Sequence, residues 1–329
     1  MQLIELLLII SMTGACGSAL APSHQDRRPQ AKATNEITAQ RQVIDGTADQ
    51  ETADTGSVSG VQTEKTLQKP IEFYSVGPYR VGSSGESLED PGYAAAEIFY
   101  PTNTGRMNLP VVTISGGFSN FKEDVTFIAR HLASYGIISV TFTPVDNLSL
   151  DPNMWAQGHR AALEKVLSET TRKGSPLFQK AIDRSRLANL GFSLGGAGAI
   201  LAALSSPRSI KATVALCPFL PETPSPDVAT LLLTGDADIV ADSSYVAEAY
   251  SLADAKTPKA FVKVSGLGHT DVLQDGVFRP TLTYYLTAWL QLFLHDDPPL
   301  TKVFDRGGYA ADAVPPSIIG KALLEFKTD

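Results

Sequence analysis

Only two cysteines, Cys16 and Cys217, occur among 329 residues. That is too few for a disulfide framework, and without neighbouring histidines in sequence they do not form a metal-binding pattern. H-E-x-x-H is absent too, so no metal is expected. Positive charge is in deficit: 27 Lys and Arg stand against 35 Asp and Glu, a formal net charge of -8. No basic stripe can meet phosphates, which argues against a nucleic-acid partner. No long apolar run exists. The longest, "LIELLLII" near the N-terminus, is interrupted by Glu5 and falls far short of the roughly 20 residues a bilayer span needs. No aromatic residue precedes Phe73, and no period of roughly 20 to 50 residues repeats, which excludes a solenoid.

The short apolar run sits where the h-region of an export signal would, followed by the small residues of "SMTGAC". It resembles a bacterial lipoprotein signal with Cys16 as the lipidated residue. It departs from that pattern in lacking Lys or Arg before the run and in carrying Thr13 where Leu is usual. Residues 1–16 are therefore expected to direct export, to the periplasm, the cell surface or the medium, with Cys16 the sole membrane attachment. Residues 17–68, poor in apolar side chains, cannot bury enough surface to offset ordering their backbone. They are expected to be a disordered tether spanning roughly 40 Å. Residues 69–329 would form the catalytic domain, expected to be a monomer.

From about residue 70 the texture changes. "IEFYSV" and "AAAEIFYP" read as opening strands, and "LPVVTIS" as a strand buried on both faces. Phe121 to Tyr135 carries helical spacing closed by Gly136, and Asp151-Pro152 offers an N-cap and first position for a helix through Leu167. "IISVTF", "LANLGF", "ATVAL", "TLLLTG" and "AFVKVSG" read as further strands, with helices after Ser193, near Ser244–Leu252 and from about Thr281 to His295. Strands alternating with helices imply an α/β fold with a mostly parallel, doubly wound sheet and helices on both faces.

Within that alternation, Gly191, Ser193 and Gly195 form G-x-S-x-G between a strand and a helix. A nucleophilic serine suits this place because the tight turn leaves no room for flanking side chains and projects Oγ above the sheet. The helix N-terminus offers free N–H groups to developing negative charge. A serine hydroxyl needs a general base, and His269 is the one histidine in a glycine-flanked loop after a strand. His24 lies in the tether, and His131, His159 and His295 lie within expected helices, where packing or surface roles are favoured. Asp236 and Asp238 both follow "TLLLTG" as candidates for the acid. Asp238, two residues further out, is preferred, while Asp236 suits capping of the turn. A tetrahedral intermediate also needs N–H donors, expected from Leu194, after the nucleophile, and from Phe118 in "SGGFSN". Cys217 reads as a buried small hydrophobe. "GGAGAIL" lacks a glycine of the dinucleotide fingerprint, so no cofactor is expected.

These residues resemble the α/β-hydrolase superfamily, and within it bacterial cutinases and polyester hydrolases, with related platelet-activating-factor acetylhydrolases and dienelactone-hydrolase-like proteins. The likeness spans about residues 70–305 and includes "IFYPTN", "SGGF", "LANLGFSLGGAGAI", "LCPF", "LLLTGDADIVA" and "GLGHT". It implies Ser193 as nucleophile, Asp238 as acid, His269 as base, oxyanion donors at Phe118 and Leu194, and an aromatic substrate wall at Phe219 facing Phe118. Phe192, Phe118 and Phe219 stand where the family usually has His, Tyr and Trp, and its C-terminal cysteine pair is absent. The expectation is a serine ester hydrolase without a lid domain, acting on short to medium chain esters, with polyesters as a further candidate substrate. The alternatives are an acetylhydrolase-, thioesterase- or chlorophyllase-like hydrolase, or a catalytically silent surface-binding lipoprotein of the same fold.

Overall fold

In a computed structural model of the chain, the described residues are 73–84, 88–105, 107–205, 210–220, 228–254, 256–295, 300–304 and 323–327. The expected export signal (1–16) and tether (17–68) lie outside them.

The sheet grows outward from strands that are wholly buried. Leu109–Ser115 (β3) and Ile138–Thr143 (β4) are buried at every position. A strand covered on both faces has no reason to alternate, which is why "LPVVTIS" reads as one apolar run. Around them lie Val81–Ser83 (β1), Ala95–Pro101 (β2), Ile182–Phe192 (β5), Ile210–Leu216 (β6), Ala229–Gly235 (β7), Lys259–Val264 (β8) and Leu323–Lys327 (β9). The order is β1-β2-β4-β3-β5-β6-β7-β8-β9. β4, β3, β5, β6, β7 and β8 run parallel, whereas β2 and β9 pair antiparallel at the flanks. This is the α/β-hydrolase fold.

Helices Thr126–Ser134 (α1), Pro152–Glu169 (α2), Leu194–Ser205 (α3), Ser243–Leu252 (α4) and Arg279–Leu294 (α5) cover the sheet, and a single turn, Thr301–Phe304 (α6), follows. Val112 and Ile114 of β3 pack in one cluster with Ile128 and Leu132 of α1 and Trp289 of α5. Val111 faces the other way, towards Ala162 and Val166 of α2. Ile200 of α3 and Val246 and Tyr250 of α4 cover β6, β7 and β8 on a third cluster. Alternate side chains of each strand thus feed separate cores on opposite faces.

The expected boundaries hold where capping chemistry is local. Asp151 caps α2, its Oδ1 accepting from Asn153 N–H at 2.9 Å, with Pro152 at the first position. Asp242 caps α4 in the same way through Ser244 N–H at 2.8 Å. Two expectations change. The helix expected from Phe121 opens with a 3-10 turn, Lys122–Val125, before α1 begins at Thr126. "IEFYSV" is no strand over Phe73 to Val76, and the opening strand is β1 instead. Phe73, the first of its two aromatic residues, instead plugs the end of α1, its ring 5.3 Å from that of Tyr135. The backbone ties to the same place, Tyr135 Oη donating to Ser75 O at 2.8 Å and Gly77 N–H to Ser134 Oγ at 2.8 Å.

Candidate active site

The C-terminal ends of the parallel strands carry every residue singled out for chemistry. Ser193 sits between β5 and α3 with φ of 56°. That left-handed conformation is strained for a non-glycine residue. The turn is held shut by backbone: Ser193 N–H donates to Leu216 O at 3.0 Å, and Ser193 O accepts from Gly196, Ala197 and Phe219 N–H. A Cβ on Gly191 would collide with the Gly195 carbonyl, and one on Gly195 with the Gly116 carbonyl. The glycines are therefore required by the close crossing of strand, turn and helix.

His269, opening a 3-10 turn after β8, and Asp238, after β7, converge on this turn. His269 Nε2 lies 2.9 Å from Ser193 Oγ, and His269 Nδ1 lies 2.8 Å from Asp238 Oδ2. A carboxylate only accepts, so Nδ1 carries the proton and the Nε2 lone pair faces the serine hydroxyl. The second carboxylate oxygen, Oδ1, accepts from Val240 and Ala241 N–H at 2.9 and 2.8 Å. All three side chains are nearly out of solvent, Ser193 and Asp238 at 4% exposure and His269 at 9%. Asp236 is elsewhere. It is exposed, and its Oδ1 accepts from Gly266 N–H at 2.6 Å, tying the β7 loop to the β8 loop.

Gly117 abuts Ser193 with no room for a side chain between them, which brings the "SGGFSN" loop over the serine. Phe118 N–H and Leu194 N–H donate to no protein acceptor among the described residues. Phe118 and Phe219 are both half-buried beside the turn. Phe219 is anchored by its N–H bond to the carbonyl of Ser193 itself, at 3.0 Å.

Several neighbours escape sequence reasoning. Asn120 and Asn147 brace the Phe118 loop: Asn120 Oδ1 accepts from Gly117 N–H at 2.9 Å, Asn147 Nδ2 donates to Asn120 O at 3.1 Å, and Asn147 O accepts from Ser119 N–H at 2.7 Å. Asp124 completes the brace, accepting from Phe121 N–H at 2.9 Å. The spacing of Asn120 and Asp124 ahead of a helix was the available signal. Phe192 lays its ring 4.8 Å from the His269 imidazole, a contact that adjacency to Ser193 alone did not announce.

Cys217 is fully buried, as expected, but it does have a histidine nearby in space. Donor atoms of Cys217, Asp238 and His269 lie within 4.8 Å of one another. Burial, followed by the charge of Asp238, pushes the thiol well above its usual range. Two members of this set are already engaged, Asp238 with His269 and His269 with Ser193. Among the other histidines, burial lowers His131 to about 4 and His159 to about 3. Both are neutral residues inside the packed layers, as their helical positions suggested.

A model of PET hydrolase-like proteins matches residues 66–307. A bis(hydroxyethyl) terephthalate hydrolase of Streptomyces coelicolor is 30% identical over 226 residues, covering 67% of this chain and 69% of its own. The cutinase est1 of Thermobifida alba is 27% identical, covering 70% of this chain and 76% of its own. A cutinase of Thermobifida fusca is 26% identical, covering 71% and 75%.

Proposed function

The chain belongs to the PET hydrolase-like family and is a carboxylic ester hydrolase, and from that premise we propose that it cleaves esters through an acyl-enzyme on Ser193, with His269 as base and Asp238 as acid. The observation that carries the reading is the unbroken series Ser193 Oγ, His269 Nε2, His269 Nδ1 and Asp238 Oδ2, linked at 2.9 and 2.8 Å. As Ser193 Oγ attacks the ester carbonyl, its proton passes to His269 Nε2. The imidazolium so formed keeps its Nδ1–H on Asp238, whose charge stabilises it. The Val240 and Ala241 N–H bonds keep that carboxylate facing the ring.

The carbonyl oxygen becomes an oxyanion, which Phe118 N–H and Leu194 N–H would receive. Both are uncommitted to protein acceptors among the described residues, and Leu194 stands at the positive end of α3. His269 then returns its proton to the leaving alcohol. A water deprotonated by the same nitrogen attacks the acyl-serine and releases the acid. Phe192 against the imidazole restricts the ring to the orientation that serves both half-reactions.

The substrate reading is an ester of short to medium acyl chains, polymer ends included. The bis(hydroxyethyl) terephthalate hydrolase and the cutinases among the relatives support it, as do Phe118 and Phe219 beside the serine. Exposed Phe121, beyond Phe118, and Ile239, next to Asp238, add apolar surface at 57% and 75% exposure. Export and a lipid anchor at Cys16 belong to the same proposal and suit an enzyme acting on substrates outside the cell. Initial rates on p-nitrophenyl esters of increasing chain length, with an amide analogue alongside, test this reading. Hydrolysis peaking at short or medium chains is expected, and preference for the amide would overturn it.

A further inference from the structure

Thr113, Ser115, His159 and Asn189 are four polar side chains at 2% exposure or less, placed where strands and helix pack and apolar residues would serve stability as well. Thr113 and Ser115 are two apart on β3 and share one face. Thr113 is the register partner of Asn189 on β5, and His159 descends on them from α2. Their hydrogen bonds form one directed chain. Asn189 Nδ2 donates to Ala199 O at 3.3 Å, leaving Asn189 Oδ1 to accept from Thr113 Oγ1 at 2.9 Å. The Thr113 hydroxyl proton is thereby used, so its oxygen accepts from His159 Nδ1–H at 2.7 Å. With the proton on Nδ1, His159 Nε2 accepts from Ser115 Oγ at 3.1 Å. Burial keeps the ring neutral, lowering it to about 3, and the Phe142 ring meets it edge-on at 4.8 Å.

The position of Nε2 gives the chain a consequence for chemistry. Besides Ser115 it lies 3.4 Å from the Gly195 carbonyl oxygen, a packing contact and not a hydrogen bond in this tautomer, because both atoms are acceptors. Ser115 is the last residue of β3, three before Phe118, and Gly195 is the residue after Leu194. One imidazole edge therefore sits between the roots of the two segments that carry the N–H groups assigned above to the oxyanion. We propose that His159, acting through Ser115 and against the Gly195 carbonyl, is a positioning residue that sets the spacing between Phe118 N–H and Leu194 N–H. It touches neither substrate nor Ser193. A fully satisfied polar chain suits this work because its bond directions admit one arrangement, whereas apolar side chains in the same space could slide.

The inference rests on the oxyanion assignment under the proposed function, and the experiment separates the two. Ser115→Ala, His159→Leu, the double variant and His159→Gln are compared in the full chain on a soluble p-nitrophenyl ester. Both single variants should lower kcat about 10- to 100-fold with KM within about twofold, since a displacement below 1 Å suffices. An alkylboronic acid, whose tetrahedral adduct bears the oxyanion, should lose affinity in parallel with kcat. The double variant should be no worse than the worse single, and His159→Gln, which offers a donor and an acceptor, should recover most of the loss. A fall in melting temperature with kcat unchanged would overturn the proposal, as would single losses that multiply in the double variant. Ser115→Ala removes one hydroxyl and leaves no large cavity, so the test survives poor folding of His159→Leu. Fluorophosphonate labelling of the wild type reports separately: a label on a residue other than Ser193 sinks the catalytic assignment itself.

Discussion

Two aspartates two residues apart have opposite surroundings. Asp238 is buried with one oxygen on His269 and the other on two backbone N–H groups, whereas Asp236 is exposed and bonded to Gly266 N–H. Asp238→Asn should therefore lower kcat at least about 100-fold, because an amide in that place favours the wrong imidazole tautomer. Asp236→Asn should act on melting temperature through the loop it ties and leave kcat near wild type. The reverse ranking in steady-state kinetics would move the acid to Asp236. Ser193→Ala and His269→Ala should each lower kcat roughly 10⁴-fold or more, and the double variant little further, since the groups act as a unit. A tenth of wild-type activity in Ser193→Ala would refute the assignment.

At the scale of elements, function depends on how tightly β5, the nucleophile turn and α3 cross. Gly191→Ala would drive a methyl into the Gly195 carbonyl, and neither partner is a side chain that could swing away. The turn would have to open, at a destabilisation of about 2 to 4 kcal/mol. Thermal unfolding should show the loss, and kcat should fall with it because Ser193 Oγ leaves its 2.9 Å contact with His269. Normal melting temperature and normal kcat together would show that the turn has more room than its atoms indicate. The strands and helices themselves were legible from local pattern: continuous apolar runs for β3, β4 and β7, Asp151-Pro152 for α2. "IEFYSV" misled because apolar residues at a strand-like spacing serve equally well to plug a helix end, and no local signal separates the two uses.

For the whole molecule, neutral buried histidines set a pH response. Burial holds His131 at about 4 and His159 at about 3, below the ordinary 6.5. The unfolded chain binds protons first, so the stability from keeping these rings neutral is present above about pH 6.5 and is lost as pH falls towards 4 and then 3. Melting temperature should drop between pH 7 and 5, and His131→Gln should flatten that slope; an unchanged slope would exclude His131 as its source. Removal of residues 17–68 should leave melting temperature and kcat/KM nearly unchanged, and loss of folded protein on truncation would show that the segment packs on the domain. In sequence, the connection between β6 and β7 carries Pro218, Pro221, Pro224 and Pro226, which disfavour a helical cover; residues 221–227 lie outside the described ones. Rate against concentration of a sparingly soluble ester should then rise smoothly through its solubility limit. An abrupt rise at the limit would reveal a mobile cover.

Local chemistry alone settled much. Apolar runs, caps and glycines determined the alternating order of strands and helices, and the order Ser193, Asp238, His269 singled out the residues to watch, because each signal spans only a few neighbouring positions. Bringing Ser193 and Asp238 from separate loops to within 2.9 and 2.8 Å of His269, and turning Asp238 towards His269 while Asp236 faces solvent, was decided by the packing of β5, β6, β7 and β8 into one parallel sheet. The buried chain through Thr113, His159 and Asn189 was likewise decided only there. A histidine on an amphipathic helix carries no sign of what lies beneath it, and hydrogen-bond direction between β3, β5, α2 and α3 exists only once those elements meet.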